Sequence, residues 1–213
     1  MDQSSGSDMV EGESFVSGIV LAGGESRRMG HVNKALLDVG GLKIIERVAG
    51  VLEKVFDEIL VITNTPEDFR FLGLPMLPDI RPGYGALGGL YTGLRSCRNE
   101  YGFLVACDMP FLDVRVMRHM VGLIGGQDVV IPRVGGRLQP LHAIYSRKCI
   151  EPIERSMAAD DLKIYDLFHE VDVLEVPESV LAQFDPGLRF VININTFEDL
   201  ERARGLADPI CSA

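Results

Sequence analysis

The sequence predicts an α/β fold in three layers, a mostly parallel mixed sheet with helices on both faces. Three observations carry that prediction. Short, fully apolar runs alternate with segments whose apolar residues recur at helical spacing, the pattern of strand–helix units that set parallel strands side by side. A Gly135-Gly136 pair separates two later β-rich runs and adds an antiparallel hairpin. The first apolar run stops abruptly at Ala22-Gly23-Gly24, as a strand does when its carboxyl end opens onto a ligand loop.

In chain order, residues 15–21 form the first strand. Residues 43–55 place Ile44, Ile45, Val48, Leu52 and Val55 on one helical face, with Glu46, Arg47, Glu53 and Lys54 outside. Residues 58–63 supply the next strand, and a short helix around 67–72 leads to a small strand at 76–77. Residues 88–97 form a helix and 101–107 a buried strand, stopped by Asp108-Met109-Pro110. Asp113 caps a helix over 114–124. Residues 128–132 and 140–145 are the hairpin strands. Helices at 147–157 and 162–168 follow, then strands at 171–176 and 189–194. The capping sequence Thr196-Phe197-Glu198-Asp199 opens a last helix over 197–204.

A chain of 213 residues with 46% hydrophobic residues is enough for one substantial core. We assign a single domain to residues 15–207, with polar tails at 1–14 and 208–213. The net charge of -10 excludes a protein that coats nucleic acid, whose affinity rests on a broad basic surface. Cys97, Cys107, Cys149 and Cys211 show no C-x-x-C spacing, so neither a zinc knuckle nor a thioredoxin-type motif is present. The first fourteen residues lack the basic start and apolar stretch of a signal peptide. No apolar run approaches the ~20 residues that span a bilayer. The expectation is a soluble, cytoplasmic protein with no membrane or nucleic-acid partner.

Chemistry gathers first in residues 20–34. A strand followed by Gly23 and Gly24 lets backbone N–H groups turn toward an anion without side-chain obstruction. Arg27, Arg28 and Lys34 can then reach phosphate oxygens, Arg28 in bidentate fashion. The spacing is not that of a P-loop: Gly24 and Gly30 enclose five residues, and His31 stands where the lysine belongs. Residues 83–88 are formally G-x-G-x-x-G, the textual form of a dinucleotide fingerprint. That motif needs a strand directly before its first glycine, and Pro78 and Pro82 interrupt one here. Asp108 ends a buried strand facing the expected triphosphate, and Mg²⁺ favours one or two protein carboxylates plus phosphate oxygens. His142 lies in an apolar run and reads as a core or site-lining histidine rather than a base. Asn193 and Asn195, two apart in the expected last strand, would share a face.

These residues resemble a known family. Leu21-Ala22-Gly23-Gly24-x-Ser26-x-Arg28-Met29-Gly30, followed by Asn33-Lys34-Ala35-Leu36, looks like the signature of the molybdenum cofactor guanylyltransferases. Further blocks follow in order: Asp79 to Gly89, Cys107-Asp108-Met109-Pro110, Gln139 to Tyr145, and Asn193-Ile194-Asn195-Thr196. Two positions depart from the pattern. Asn33 stands where an aspartate commonly precedes the lysine, and Ala86 where a proline is usual; neither removes a charged group with an obvious phosphate or metal role.

The resemblance implies a Rossmann-like fold of nucleotide-diphospho-sugar transferase type that transfers GMP from GTP to the phosphate of molybdenum-loaded molybdopterin. It implies a nucleotide site of Leu21, Ala22, Gly23, Gly24, Lys34, Asn64, Asp79 and Asp108. Catalysis would fall to Arg28, Lys34 and Asp108, with Mg²⁺ on Asp108. Gln139, Pro140, Leu141, Asn193 and Asn195 would hold the acceptor. Partners beyond the substrates would be transient contacts with cofactor-synthesis proteins or molybdoenzymes. A cytidylyltransferase acting on the same pterin, a sugar-1-phosphate nucleotidylyltransferase and a non-catalytic nucleotide-binding protein are the rivals. Relatives of the cytidylyl kind usually read Leu-Ala-Ala-Gly in the first loop, so Gly23 favours GTP.

Overall fold

In a computed structural model, which describes residues 15–23, 33–160 and 162–207, the first apolar run becomes the central strand β1 (Val16–Leu21). Its six residues are buried almost throughout, which is what a strand covered by helices on both faces requires. β4 (Ile59–Ile62) and β6 (Tyr101–Ala106) flank it in parallel, and the two-residue β5 (Met76–Leu77) extends the sheet beyond β4. On the other side β9 (His142–Ser146) runs antiparallel to β6 and to β7 (Val129–Val134), and β10 (Val173–Pro177) lies parallel to β7. The sheet order is β10-β7-β9-β6-β1-β4-β5, with β8 (Arg137–Leu138) paired to β7. Gly135 and Gly136, at φ 55° and 74°, make the tight β7–β8 turn and place the hairpin where its glycines predict.

Side chains alternate faces along these strands and build two cores. One face carries Val16, Val20, Phe103, Val105 and Ile144 under α1 (Ile44–Leu52), α3 (Val114–Gly122) and α6 (Phe197–Leu206). The other carries Ile19, Leu60, Leu104 and Tyr145 under α2 (Gly85–Ser96) and α4 (Ile150–Ala158). α2 lies unusually close to β1. A Cβ at Gly93 would fall 2.6 Å from Ile19 Cγ2, and one at Gly102 would overlap Ile19 Cδ1 from the neighbouring strand. Ile19 therefore fills a notch that only two glycines leave open.

Three expectations change, and two elements were not expected. Residues 189–194 form no strand: Arg189–Val191 is a short 3-10 turn, with Leu188 left-handed at φ 47° and the Asp185 carboxylate accepting the Phe190 N–H. Its apolar alternation is satisfied by packing Phe190 against His142 of β9 rather than by pairing at an edge. The helix expected over 162–168 shrinks to a 3-10 turn, Asp166–His169, and the one around 67–72 is also 3-10, closed by left-handed Gly73. An unforeseen hairpin, β2 (Asp38–Val39) with β3 (Leu42–Lys43), turns through Gly40 and Gly41 ahead of α1. α5 (Glu178–Leu181) is a further single turn.

Candidate active site

The parallel strands all end on one side, and three backbone hydrogen bonds hold their exits together. Ala22 N–H donates to the Ile62 carbonyl (2.9 Å), Thr63 N–H to Leu77 (2.9 Å), and Cys107 N–H to Leu21 (3.0 Å). Above them opens a cleft of about 830 Å³, within the range of small-molecule sites. Its lining joins residues distant in sequence, among them Leu21, Gly23, Asn64, Asp79, Asp108 and Leu141. Gly24, Arg27 and Arg28 lie outside the described residues.

One wall is held by hydrogen bonds within itself. Asn64 Nδ2 donates to Asp79 Oδ2 (2.9 Å), and the Asp79 N–H donates back to Asn64 Oδ1 (3.0 Å). The next peptide is pinned too: Ile80 N–H donates to Thr92 Oγ1 (3.0 Å), whose own proton goes to the Gly88 carbonyl (2.9 Å). Gly83 and Gly85 adopt φ 94° and 53°, so this stretch is a loop folded against the start of α2. The strand nearest before it, β5, ends at Leu77, so the G-x-G-x-x-G text lacks its dinucleotide-binding context.

The opposite wall carries charge. Asp108 follows β6 in a turn, and its carbonyl accepts the Ile194 N–H (3.0 Å), which fastens the 192–195 segment beside it. Its Oδ1 is buried and has no hydrogen-bond partner among the described residues. Burial pushes the carboxyl above its ordinary range, while the positive Lys34 and a backbone hydrogen bond pull the other way. A buried carboxylate oxygen without a donor is costly unless a cation takes its place. Among the described residues no cluster of three or more His, Cys, Asp or Glu forms. The buried Asp108 Oδ1 would suit an ion such as Mg²⁺ that takes one protein carboxylate and a ligand's own oxygens.

Lys34 opens a 3-10 turn (Lys34–Leu36) capped by Asn33, whose Oδ1 accepts the Ala35 N–H. Asn33 thus performs the cap that an aspartate at that position would. Lys34 Nζ donates to Asn195 Oδ1 (3.1 Å), joining the first loop to the chain's last segment. Asn193 and Asn195 do not share a strand face, because there is no strand. Asn193 Oδ1 is buried and unpartnered, whereas Asn195 is exposed and reaches Lys34. Thr196, with Asp199, caps α6 and leaves the Asn195 side chain free of that duty.

Of the other acceptor residues, Leu141 lines the cleft. Gln139 and Pro140 serve the turn between β8 and β9: Gln139 Nε2 donates to the Arg137 carbonyl, and the Pro140 carbonyl accepts the Tyr145 hydroxyl (2.8 Å). His142 is in the core, its ring centroid 5.0 Å from Phe103 and 4.8 Å from Phe190, and burial lowers its pKa to about 3. It is neutral at physiological pH and away from the cleft lining. Cys107 lines the cleft as a free thiol that burial pushes up to about 12, so it is no nucleophile. Residue-by-residue reading missed Thr92; its only sign was a threonine within the buried run from Leu87 to Leu94.

A mixed sheet with a ligand cleft at its carboxyl edge, a nearby lysine and a cleft-lining aspartate with one buried oxygen has the layout of a nucleotidyltransferase. Residues 18–173 match the MobA-like NTP transferase domain, and the chain belongs to that family. It is 43% identical over 193 residues to the "Probable molybdenum cofactor guanylyltransferase" of Pelotomaculum thermopropionicum, covering 90% of this chain and 93% of that one. It is 39% identical to the molybdenum cofactor guanylyltransferase of Desulfosudis oleivorans, with 88% and 94% covered. Among solved structures, molybdopterin-guanine dinucleotide biosynthesis protein A from Archaeoglobus fulgidus superposes with a TM-score of 0.78 at 28% identity, over 89% of this chain and 97% of that one.

Proposed function

We propose that the chain transfers GMP from GTP to the phosphate of molybdenum-loaded molybdopterin, forming the guanine dinucleotide cofactor and releasing pyrophosphate. The observation that carries this reading is the buried Asp108 Oδ1, without a hydrogen-bond partner among the described residues, beside a ligand-sized cleft in a chain whose relatives are named as molybdenum cofactor guanylyltransferases. An acceptor phosphate oxygen attacks the α-phosphorus of the triphosphate. The new P–O bond forms as the bond from the α-phosphorus to its bridging oxygen breaks, and pyrophosphate leaves with that electron pair.

The protein's task is positioning and neutralisation of charge. Asn64 and Asp79 hold the nucleoside side, with Leu21, Ala22 and Gly23 beneath the phosphates; the family pattern adds Gly24, which lies outside the described residues. Lys34, and Arg28 from outside the described residues, bear on the phosphate oxygens. Asp108 would hold Mg²⁺, which supplies positive charge to the phosphates when bound. Leu141, Asn193 and Asn195 stand on the acceptor side. The attacking phosphate is already ionised near neutral pH, so no general base is needed, and the core position of His142 accords with that. The reading places the work in the cytoplasm, where transient contact with cofactor-synthesis proteins or molybdoenzymes passes the product on. Among the described residues no helix is long and apolar enough to cross a membrane.

Pyrophosphate release, measured with each of the four nucleoside triphosphates, Mg²⁺ and loaded molybdopterin, tests this reading. Turnover is expected with GTP. Preference for CTP would overturn the base, and turnover only with a sugar phosphate would overturn the acceptor. Triphosphate binding without release would make the chain a non-catalytic binder.

A further inference from the structure

We infer that Thr92 is a positioning residue for nucleotide binding, holding the Asp79 loop in its binding geometry from inside the core. Thr92 is fully buried in α2, one of few polar side chains in that position. Its hydroxyl has one proton, and that proton goes to the Gly88 carbonyl one turn earlier. The oxygen's lone pairs are therefore turned outward, where one of them accepts the Ile80 N–H. Ile80 itself is 52% exposed, so its own side chain contributes little to holding the loop.

Residues 78–84 belong to no strand or helix and carry Pro78 and Pro82, so no sheet ladder fixes them either. The loop instead sits between two anchors. Asn64 grips Asp79 from the cleft side, and Thr92 grips the following peptide from behind. Gly88 makes the second anchor reachable, because a Cβ there would come within 3.1 Å of the Arg81 carbonyl. Arg81 adds a weaker strut, its guanidinium lying 5.4 Å from the Tyr91 ring centroid. Without the Thr92 hydroxyl the Ile80 N–H loses its partner and the loop samples other conformations. Binding then carries the cost of ordering it. The reacting phosphates are held by the opposite wall, so the loss falls on KM and spares kcat.

This inference rests on the reading of Asp79 as a nucleotide contact, so Asp79→Asn is assayed alongside. Thr92→Val keeps the shape and removes the hydroxyl; Thr92→Ser restores it. Thr92→Val is expected to raise KM for GTP by roughly tenfold, the loss of about one well-made buried hydrogen bond. Its kcat and its KM for the pterin stay within about twofold of wild type. Thr92→Ser returns KM for GTP toward the wild-type value. In the free wild-type protein the Ile80 amide is expected to resist hydrogen exchange, unlike an exposed loop amide. That measurement, together with Thr92→Ser, decides the matter if Thr92→Val fails to fold.

An unchanged KM for GTP in folded Thr92→Val, or a fall in kcat with KM intact, overturns the inference. So does a Thr92→Ser enzyme with the defect of the valine variant, or an Ile80 amide that exchanges freely. If Asp79→Asn raises KM and Thr92→Val does not, the Thr92 inference alone falls. If neither raises it, the assignment of Asp79 to the nucleotide falls with it.

Discussion

The two walls of the cleft are built on opposite principles. On one, Asn64 and Asp79 satisfy each other through two hydrogen bonds, and Thr92 takes up the next backbone N–H. On the other, the buried Asp108 Oδ1 has no donor, and Asn193, next to the residue that bonds the Asp108 carbonyl, has a buried oxygen in the same condition. A self-satisfied wall is rigid before any ligand arrives, which suits recognition of a nucleoside. An unsatisfied wall is held at a cost to stability and suits an ion or a charged group whose arrival supplies the missing partner. The difference separates recognition from charge handling within a single cleft.

Removing the charge from the unsatisfied wall should give the largest effect. Asp108→Asn is expected to lower pyrophosphate release by about 10³-fold, the scale seen when a charge-stabilising group is deleted from a reacting site. Stability should hold or rise, because burial already disfavours the ionised carboxyl and the amide has no charge to bury. Single-turnover pyrophosphate release and urea unfolding read the two halves. Turnover above about a tenth of wild type would remove the carboxylate from the reacting wall. A clear loss of stability would show that the two walls do not differ as described.

Next comes the mounting of the satisfied wall. α2 carries Thr92, and its approach to β1 depends on Gly93. Ile19, against which an alanine Cβ would press, is hemmed in from the other side by Gly102, so it cannot shift away. Gly93→Ala should cost about 2 kcal/mol even after the alanine's helix propensity is credited. Gly89→Ala meets only the terminal methyls of half-buried Leu21, which can rotate, and should be near neutral. Equal urea midpoints for the two variants would show that the helix is free to ride up and that its seating does not set the wall.

How much of this was legible in the chain follows from the same physics. β1, β4 and β6 are buried on both faces, so each shows as an apolar run, interrupted in β1 by Ser17, and the Gly135-Gly136 hairpin declares itself through a backbone conformation that glycine favours. Residues 189–194 misled because alternation reports burial on one side and is silent on whether the partner is a strand edge or a sheet face. Asp108 could be picked out from its place at a strand's end. Asn64 and Asp79 look like ordinary turn residues until the fold brings β4 and β5 together, and only the family pattern singled them out. Thr92 bonds the amide of a loop twelve residues upstream, a contact created by helix packing and invisible to any local rule.

The effect that is smallest at neutral pH, and grows only in acid, concerns how the acceptor side is anchored. Phe190 begins the segment that leads to Asn193 and Asn195, and it packs on His142, whose pKa burial lowers from 6.5 to about 3. Below pH 6.5 the unfolded chain takes up a proton at this histidine that the folded chain refuses. The stability it contributes is thus fully present above pH 6.5 and drains away as pH falls toward 3. The slope should be about 1.4 kcal/mol per pH unit within that window. His142→Leu keeps an apolar side chain there and cannot titrate, so urea-derived stability plotted against pH should be shallower by one proton than in the wild type. His31, His119 and His169 remain in both proteins and cancel in the difference. Parallel profiles would mean that His142 accepts its proton without unfolding, and the acceptor-side anchor would then be no more acid-sensitive than the Asn64–Asp79 wall.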